Sequence, residues 1–412
     1  AFNLPNNSVL INNAPCSFFC LMKPANLTGY RSLYCAGPGG GFTAFETNGS
    51  NLNYYDAADG IHNYNGTATL STGTTYIFDA NLSAGLAGVL TLNLNGGNDF
   101  TSPATTFGST WGSNPERTIG GTAIATQFWS GDIGEVIIYN TQLSSAERSI
   151  VGSYLGAKWG VSFSGSKYGG TSSYSDAVIG IGKESDGSNT SATAGGLTLT
   201  DNSALNANGE YLLAGRNSGS NSVVTADVAS GVTHRWNRIW YLDKTGTLDG
   251  ANVQIGFDFS DGGMSGSPAT ASNYRLLYRS GTSGNFSAVT TASSAIAGDN
   301  INFTATDANI ADGYYTVGTT NSSSSPLPVE LVSFSAIAKG NSAQLSWSTA
   351  TEANNYGFEV ERSEPLPNPS PVREEIKGWV VLVLLKVQAP AILRGNILSL
   401  TTIFAAERTA IA

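Results

Sequence analysis

Tyr55, Asp59, Asn63 and Tyr64 lie close together in the chain, and Trp111 follows in the Gly/Ser-rich stretch Gly108-Ser109-Thr110-Trp111-Gly112-Ser113-Asn114. Aromatic rings stack on the C–H faces of sugars, while Asn and Asp side chains bind their hydroxyls. The set is therefore a candidate glycan site. Tyr54 and Trp129 lie in or beside the same loops, and Trp111 reads least like core; its alternative is to cap one end of a sandwich. His62, within Asp59-Gly60-Ile61-His62-Asn63-Tyr64, either helps to hold a ligand or is a solvated loop residue. Ca²⁺ is the one cofactor the residues suggest, since it takes six to eight oxygens from carboxylates, carbonyls and amides. The loops Asp56–Asn63 and Asp186-Gly187-Ser188-Asn189 supply such groups, although Asp/Asn/Gly loops are also common turns.

Other chemistry is missing from the sequence. A retaining glycosidase needs two carboxylates about 5–5.5 Å apart, which a Glu-x-Asp-x-x-Glu strand would supply, and no such run occurs. Glu135 stands among apolar residues with Asp132 before it, either a metal or sugar contact or an ordinary strand-end acid. Gly262-Gly263-Met264-Ser265-Gly266 lacks the strand–turn–helix context of a nucleophile elbow. Gly37-Pro38-Gly39-Gly40-Gly41 is followed by no Lys-Ser/Thr and reads as a wide turn, not a phosphate loop. No catalytic residues are assigned, and the chain is expected not to be an enzyme.

Composition narrows the classes further. The 412 residues include 49 Gly, only 12% are charged, and 41% are hydrophobic. Charged residues ordinarily make up about 25% of a globular chain. Apolar mass is ample for real cores, and Gly, Ser, Thr and Asn stand where helix formers would, which points to an all-β protein rich in turns. The net charge is -10, with no basic stripe, so nucleic acid is not an expected partner. No apolar run reaches the ~18 residues of a membrane-spanning helix. The chain starts at Ala1 in sequence that already reads as folded, so a processed or fragmentary N-terminus is expected. Cys16 and Cys20 stand too far apart along one strand to bridge each other. Cys35 either pairs with one of them or all three are free thiols.

The elements that must carry the site are short alternating runs. In residues 1–163 they are Phe18–Met22, Ser32–Ala36, Phe42–Phe45, Ala68–Leu70, Thr75–Asp79, Val89–Asn95 and Glu135–Tyr139, separated by Gly/Asn/Ser turns. One segment changes period: Ser144-Ser145-Ala146-Glu147 is a capping box, apolar residues recur at Ile150, Val151, Tyr154 and Leu155, and Gly160 ends the run. This predicts one short amphipathic helix lying on the surface of a β-sandwich. Residues 164–320 read as a second β-sandwich, with strands near Val178–Gly182, Tyr211–Ala214, Arg235–Asp243, Val253–Phe259, Tyr274–Arg279, Ile301–Thr304 and Gly313–Gly318. Trp236, Trp240 and Trp347 alternate with strand residues as core. A Ser/Pro linker over 321–328 leads into a further segment, 329–363.

Gly131-Asp132-Ile133-Gly134-Glu135-Val136-Ile137-Ile138-Tyr139-Asn140, followed by Leu143-Ser144-Ser145-Ala146-Glu147-Arg148, resembles the closing strand and helix of laminin-G-like, concanavalin A-like jelly rolls in bacterial surface proteins. Tyr154-Leu155-Gly156-Ala157-Lys158-Trp159-Gly160-Val161 resembles its continuation in Bacteroidetes proteins, and residues 164–320 resemble the β-sandwich module that follows there. Such jelly rolls begin with further strands, so this one reads as N-terminally truncated. Pro326-Leu327-Pro328-Val329-Glu330-Leu331 and Ala343-Gln344-Leu345-Ser346-Trp347-Ser348 resemble the start of a fibronectin III-like module in proteins exported by the type IX route.

From 364 to 412 the composition departs from this pattern. Codons for Gly395–Ala406 read two nucleotides later permit a sequence that would continue the module, so this tail is expected to be out-of-frame translation that takes no part in the fold. The resemblances imply a secreted or cell-surface protein of a Gram-negative bacterium, non-catalytic, binding an extracellular glycan or surface protein through the jelly roll. The alternatives are a structural stalk without ligand, or an accessory part of a polysaccharide-degrading enzyme whose catalytic module lies elsewhere.

Overall fold

The computed structural model describes residues 15–37, 42–56, 62–83, 87–107, 117–122, 127–248, 250–263, 267–325 and 327, together with the backbone of 2–3, 331–339, 342–349 and 397–401. Its first unit is a sandwich of two antiparallel sheets. The front sheet runs in the order Phe2–Asn3, Arg117–Ile119, Tyr30–Ala36, Thr43–Asn48, Asn51–Asp56, His62–Asn65. The back sheet runs Ile397–Thr401, Gly131–Tyr139, Cys16–Pro24, Tyr76–Leu82, Leu90–Leu94, Gly97–Thr101. Phe18, Phe45 and Phe78 fill the space between them, with Phe18 stacked on Phe45 at 4.4 Å. The jelly-roll reading of an all-β chain holds. Two strands that carry loop-like sequence, Asn51–Asp56 and His62–Asn65, complete the front sheet, whereas Ala68–Leu70 is not a strand.

Cys16–Pro24 is buried along almost its whole length instead of alternating, because both faces of the back sheet are covered. Its inner face meets the sandwich core, and its outer face, through Phe19 and Leu21, meets the helix Ser145–Trp159. That helix begins as its sequence predicts. Ser144 caps it in a complete capping box with Glu147, and Gly160, at φ 66°, closes it in the left-handed region that glycine tolerates best. Its position differs from expectation. The helix is not at the surface: Ile150, Val151, Tyr154 and Leu155 are buried between the back sheet and Val178, Tyr211 and Leu213 of the second unit. A stripe on each side of the helix is apolar, so one helix serves two sheets.

The second unit is also a sandwich, with a nine-stranded sheet that contains Asp176–Glu184, Glu210–Arg216, Trp240–Thr245 and Gly313–Thr319. Facing it is a five-stranded sheet, Ser191–Ala194, Leu197–Asn202, Asn252–Asp258, Asn300–Ala305, Ser293–Ala297. Trp236 and Trp240 lie fully buried in its core, 5.2 Å apart. The stretch expected as one strand, Arg235–Asp243, is two, His234–Trp236 and Trp240–Thr245.

Beyond the second sandwich, Leu331–Lys339 and Ser342–Thr349 form an antiparallel hairpin. In the tail the structure differs from expectation at one place. The backbone of Ile397–Thr401 pairs with Gly131–Tyr139, setting Thr401 against Glu135, and so occupies a sheet edge whose backbone groups would otherwise lack partners. The rest of 364–412 lies outside the described residues, as does Asn354–Arg362. The three cysteines are buried thiols that form no disulfide. Cys16 and Cys20 face the core, while Cys35 lies on the outer side of the front sheet beside Phe42 and Ala44, so the sheet itself separates it from the other two. Burial pushes the Cys16 thiol up to about 12.

Candidate functional site on the outer face of the front sheet

The back sheet is covered by the helix, and the outer face of the front sheet carries the polar side chains. Strand alternation places Phe45, Leu52 and Tyr54 in the core. It therefore turns Glu46, Asn48, Asn51, Asn53, Tyr55, Asn63 and Asn65 outward. Register aligns them in rows: Ser32 opposite Glu46, Glu46 opposite Asn53, Asn53 opposite Asn65; then Ala44 opposite Tyr55 and Tyr55 opposite Asn63.

A hydrogen-bond network ties these rows together. Asn53 Nδ2 donates to Asn63 Oδ1 at 2.6 Å and to Asn65 Oδ1 at 3.0 Å, which also accepts from Asn48 Nδ2 at 3.0 Å. Asn63 Nδ2 donates to Tyr30 Oη at 2.9 Å. Tyr30 and Asn63 sit on strands with two others between them. Their bridge runs diagonally across the row that holds Glu46 and Asn53.

Under that bridge Glu46 is 0% exposed, and neither carboxylate oxygen has a hydrogen-bond partner. The Oγ of Ser32 and the Oδ1 of Asn53, its two row neighbours, are likewise buried and unpartnered. Burial alone pushes the Glu46 carboxyl up to about 8, with no nearby charge contributing. Buried polar groups are ordinarily satisfied. Three adjacent residues presenting bare oxygens form a local cluster of unsatisfied polar atoms.

The residues singled out in the sequence divide. Tyr55 and Asn63 are brought together as cross-strand neighbours, and the Tyr55 ring packs on Phe42 at 5.0 Å. Tyr64 points the other way: its ring lies on Phe100 at 5.4 Å and on His62 at 5.8 Å, against the core. It is thus a packing residue, because it falls on the opposite side of its strand from Asn63. Asp59 and Trp111 lie outside the described residues. Tyr30, Glu46, Asn48, Asn53 and Asn65 were not anticipated. Their signal is Asn at alternate positions, Asn51 with Asn53 and Asn63 with Asn65, which lines one face of a strand.

The calcium loops do not offer open ligands where described. Both oxygens of Asp186 accept from the Ser145 backbone N–H, at 3.0 and 3.1 Å, at the start of the helix. Asp56 accepts from Thr43 Oγ1 at 3.1 Å. Among the described residues, no three His, Cys, Asp or Glu side chains group as metal ligands. Glu135 is committed as well: it accepts from Tyr154 Oη at 2.8 Å, Lys158 Nζ at 2.9 Å and Trp159 Nε1 at 3.0 Å, fastening the helix end to the back sheet.

No curated protein matches this chain. Among solved structures, it is similar to a SAP-like pentraxin from Limulus polyphemus (16% identity, TM-score 0.30, covering 36% of this chain and 73% of that one). It is also similar to the CBM40 of a Ruminococcus gnavus IT-sialidase bound to α2,3-sialyllactose (13%, 0.29, 32% and 80%). A third is domain 4 of a GH43 extracellular arabinanase from Geobacillus stearothermophilus, in complex with arabinotriose (18%, 0.28, 33% and 65%). Residues 147–314 match the family model of a domain of unknown function (DUF8202), beginning within the shared helix. Residues 1–147 match the family model of the concanavalin A-like lectin/glucanases superfamily, and the two-sheet jelly roll they adopt is a laminin-G-like, concanavalin A-like domain.

Proposed function

We infer that the chain is a non-catalytic glycan-binding protein that uses the outer face of its front sheet. One observation carries this reading: Tyr30, Asn48, Asn53, Asn63 and Asn65 form a continuous amide and phenol network on a sheet face, bordered by the Tyr55 ring. Amides offer both donors and acceptors to sugar hydroxyls, and phenol rings offer a stacking surface. Glu46 faces Ser32 and Asn53 across its row, not a second carboxylate, so the pairing that glycoside hydrolysis needs is not formed there. The concanavalin A-like match supports the same reading and an extracellular or cell-surface location. Among the described residues, no helix is long and apolar enough to cross a membrane. The hairpin after the Ser/Pro linker fits the start of a fibronectin III-like module in an exported bacterial protein.

A glycan-array screen of the full chain, with calcium and with EDTA, tests this. Binding that weakens when Tyr55 or Asn63 becomes Ala supports the site. A folded chain that binds no glycan favours a second reading, a rigid stalk, for which the helix buried between the two sandwiches is the supporting observation.

A further inference from the structure

We propose that the front-sheet site selects glycans bearing a free amino group, with the ammonium seated between Glu46, Asn53 and Ser32 beneath the Tyr30–Asn63 bridge. This rests on the glycan-binding reading and names the ligand class of that same site. The pocket floor is rich in acceptors: both Glu46 oxygens, Asn53 Oδ1 and Ser32 Oγ are buried without partners. Asn53 spends its Nδ2 on Asn63 and Asn65, which fixes its oxygen on the side away from them.

An ammonium matches this arrangement in number and in charge. It carries three N–H donors and one positive charge, against one carboxylate flanked by neutral oxygens. A sugar hydroxyl supplies a donor but no charge, and so leaves Glu46 a neutral acid. Calcium wants six to eight oxygens, more than the four these three side chains hold. Empty, the site keeps Glu46 as a neutral acid, since burial raises its pKa to about 8. The arriving ammonium restores a counter-charge, and the carboxyl proton leaves to solvent.

Access requires that the bridge open. Tyr30 is half-buried, Asn63 is exposed, and one hydrogen bond of 2.9 Å joins them. Released, the Tyr30 ring is free to lie on the sugar whose amine has displaced it.

The test is calorimetric titration of the full chain with matched glucosamine and galactosamine oligomers, each with its amines free or N-acetylated, at mildly acidic pH. The expected result is tighter binding of a free-amine form by about tenfold to a hundredfold, the range of a charge-assisted hydrogen bond. Glu46→Gln should erase that preference, so that the free-amine and acetylated forms bind alike. Equal binding of both forms by the wild type, which needs no variant, overturns the inference and leaves the glycan reading standing. A preference that survives in Glu46→Gln also overturns it. Heat from calcium alone that vanishes in Glu46→Gln replaces the amine with a metal ion. Absence of binding to these oligomers and to every glycan on the array removes both readings together.

Discussion

Glu46 stands directly opposite Asn53 on the front sheet, a fully buried carboxyl beside an amide oxygen, and neither finds a hydrogen-bond donor. The pairing predicts how stability depends on pH. The Glu46 pKa is about 8 in the folded chain, against roughly 4.3 unfolded. Between those values the folded state keeps a proton that the unfolded state has shed. The stability contributed is therefore complete below the lower value and is lost as pH rises through the upper one. The slope is up to roughly 1.4 kcal/mol per pH unit. In urea melts, Glu46→Gln should gain on the wild type steadily from pH 5 to pH 8. A constant difference would show that Glu46 titrates normally.

Tyr55 and Tyr64 lie on neighbouring strands and should respond in opposite ways. Tyr55→Ala removes a ring from the outer face and should weaken glycan binding severalfold to tenfold with little loss of stability. Tyr64→Ala removes a ring from the side of the core, next to Phe100 and Phe107. It should cost about 2 kcal/mol of stability, and binding measured on the folded fraction should persist. Thermal melts alongside titrations separate the two outcomes.

Glycine in a helix normally invites replacement by alanine, worth about 1 kcal/mol in propensity. At Gly152 the opposite is expected. A Cβ there would lie 2.1 Å from the Phe163 ring, far inside contact distance. Overpacking of this kind costs typically 1–3 kcal/mol. Gly152→Ala should therefore lower stability, by about 1 kcal/mol net, and a stabilised variant would show that the ring moves aside freely.

Glu135 gathers three donors from the last turns of the helix. Glu135→Ala leaves Tyr154 and Trp159 without their acceptor and Lys158 without its counter-charge, and should cost about 3 kcal/mol. Glu135→Gln should cost less, since its amide oxygen can still accept from Tyr154 or Trp159. Urea unfolding followed by Trp fluorescence measures both.

What the sequence revealed follows local chemistry. The helix was legible to the residue because its cap, its box partner Glu147 and its closing Gly160 are local signals that act without tertiary help. Strands with apolar alternation, such as Asn252–Asp258, were equally plain. Asn51–Asp56 and His62–Asn65 were not, because Asn favours turns in isolation and becomes a strand residue here only by bonding to Asn on the next strand. The strands that carry the site were thus the ones propensity disguised. The placement of the helix was hidden for another reason. The sequence shows that apolar stripes exist, but not that a second sheet arrives to cover the outer one.

Because Ile150 and its neighbours are packed between the back sheet and a sheet of the second sandwich, the connection between the units is a beam instead of a hinge. Asp186, reaching from a turn of the second unit to the first turn of the helix, pins the far end of that beam. A ligand held at Glu46 would pull on the second sandwich with almost no slack, and torque applied to one unit would turn the other. Multivalent attachment through several such chains would then favour surfaces whose ligand spacing suits a fixed angle of presentation.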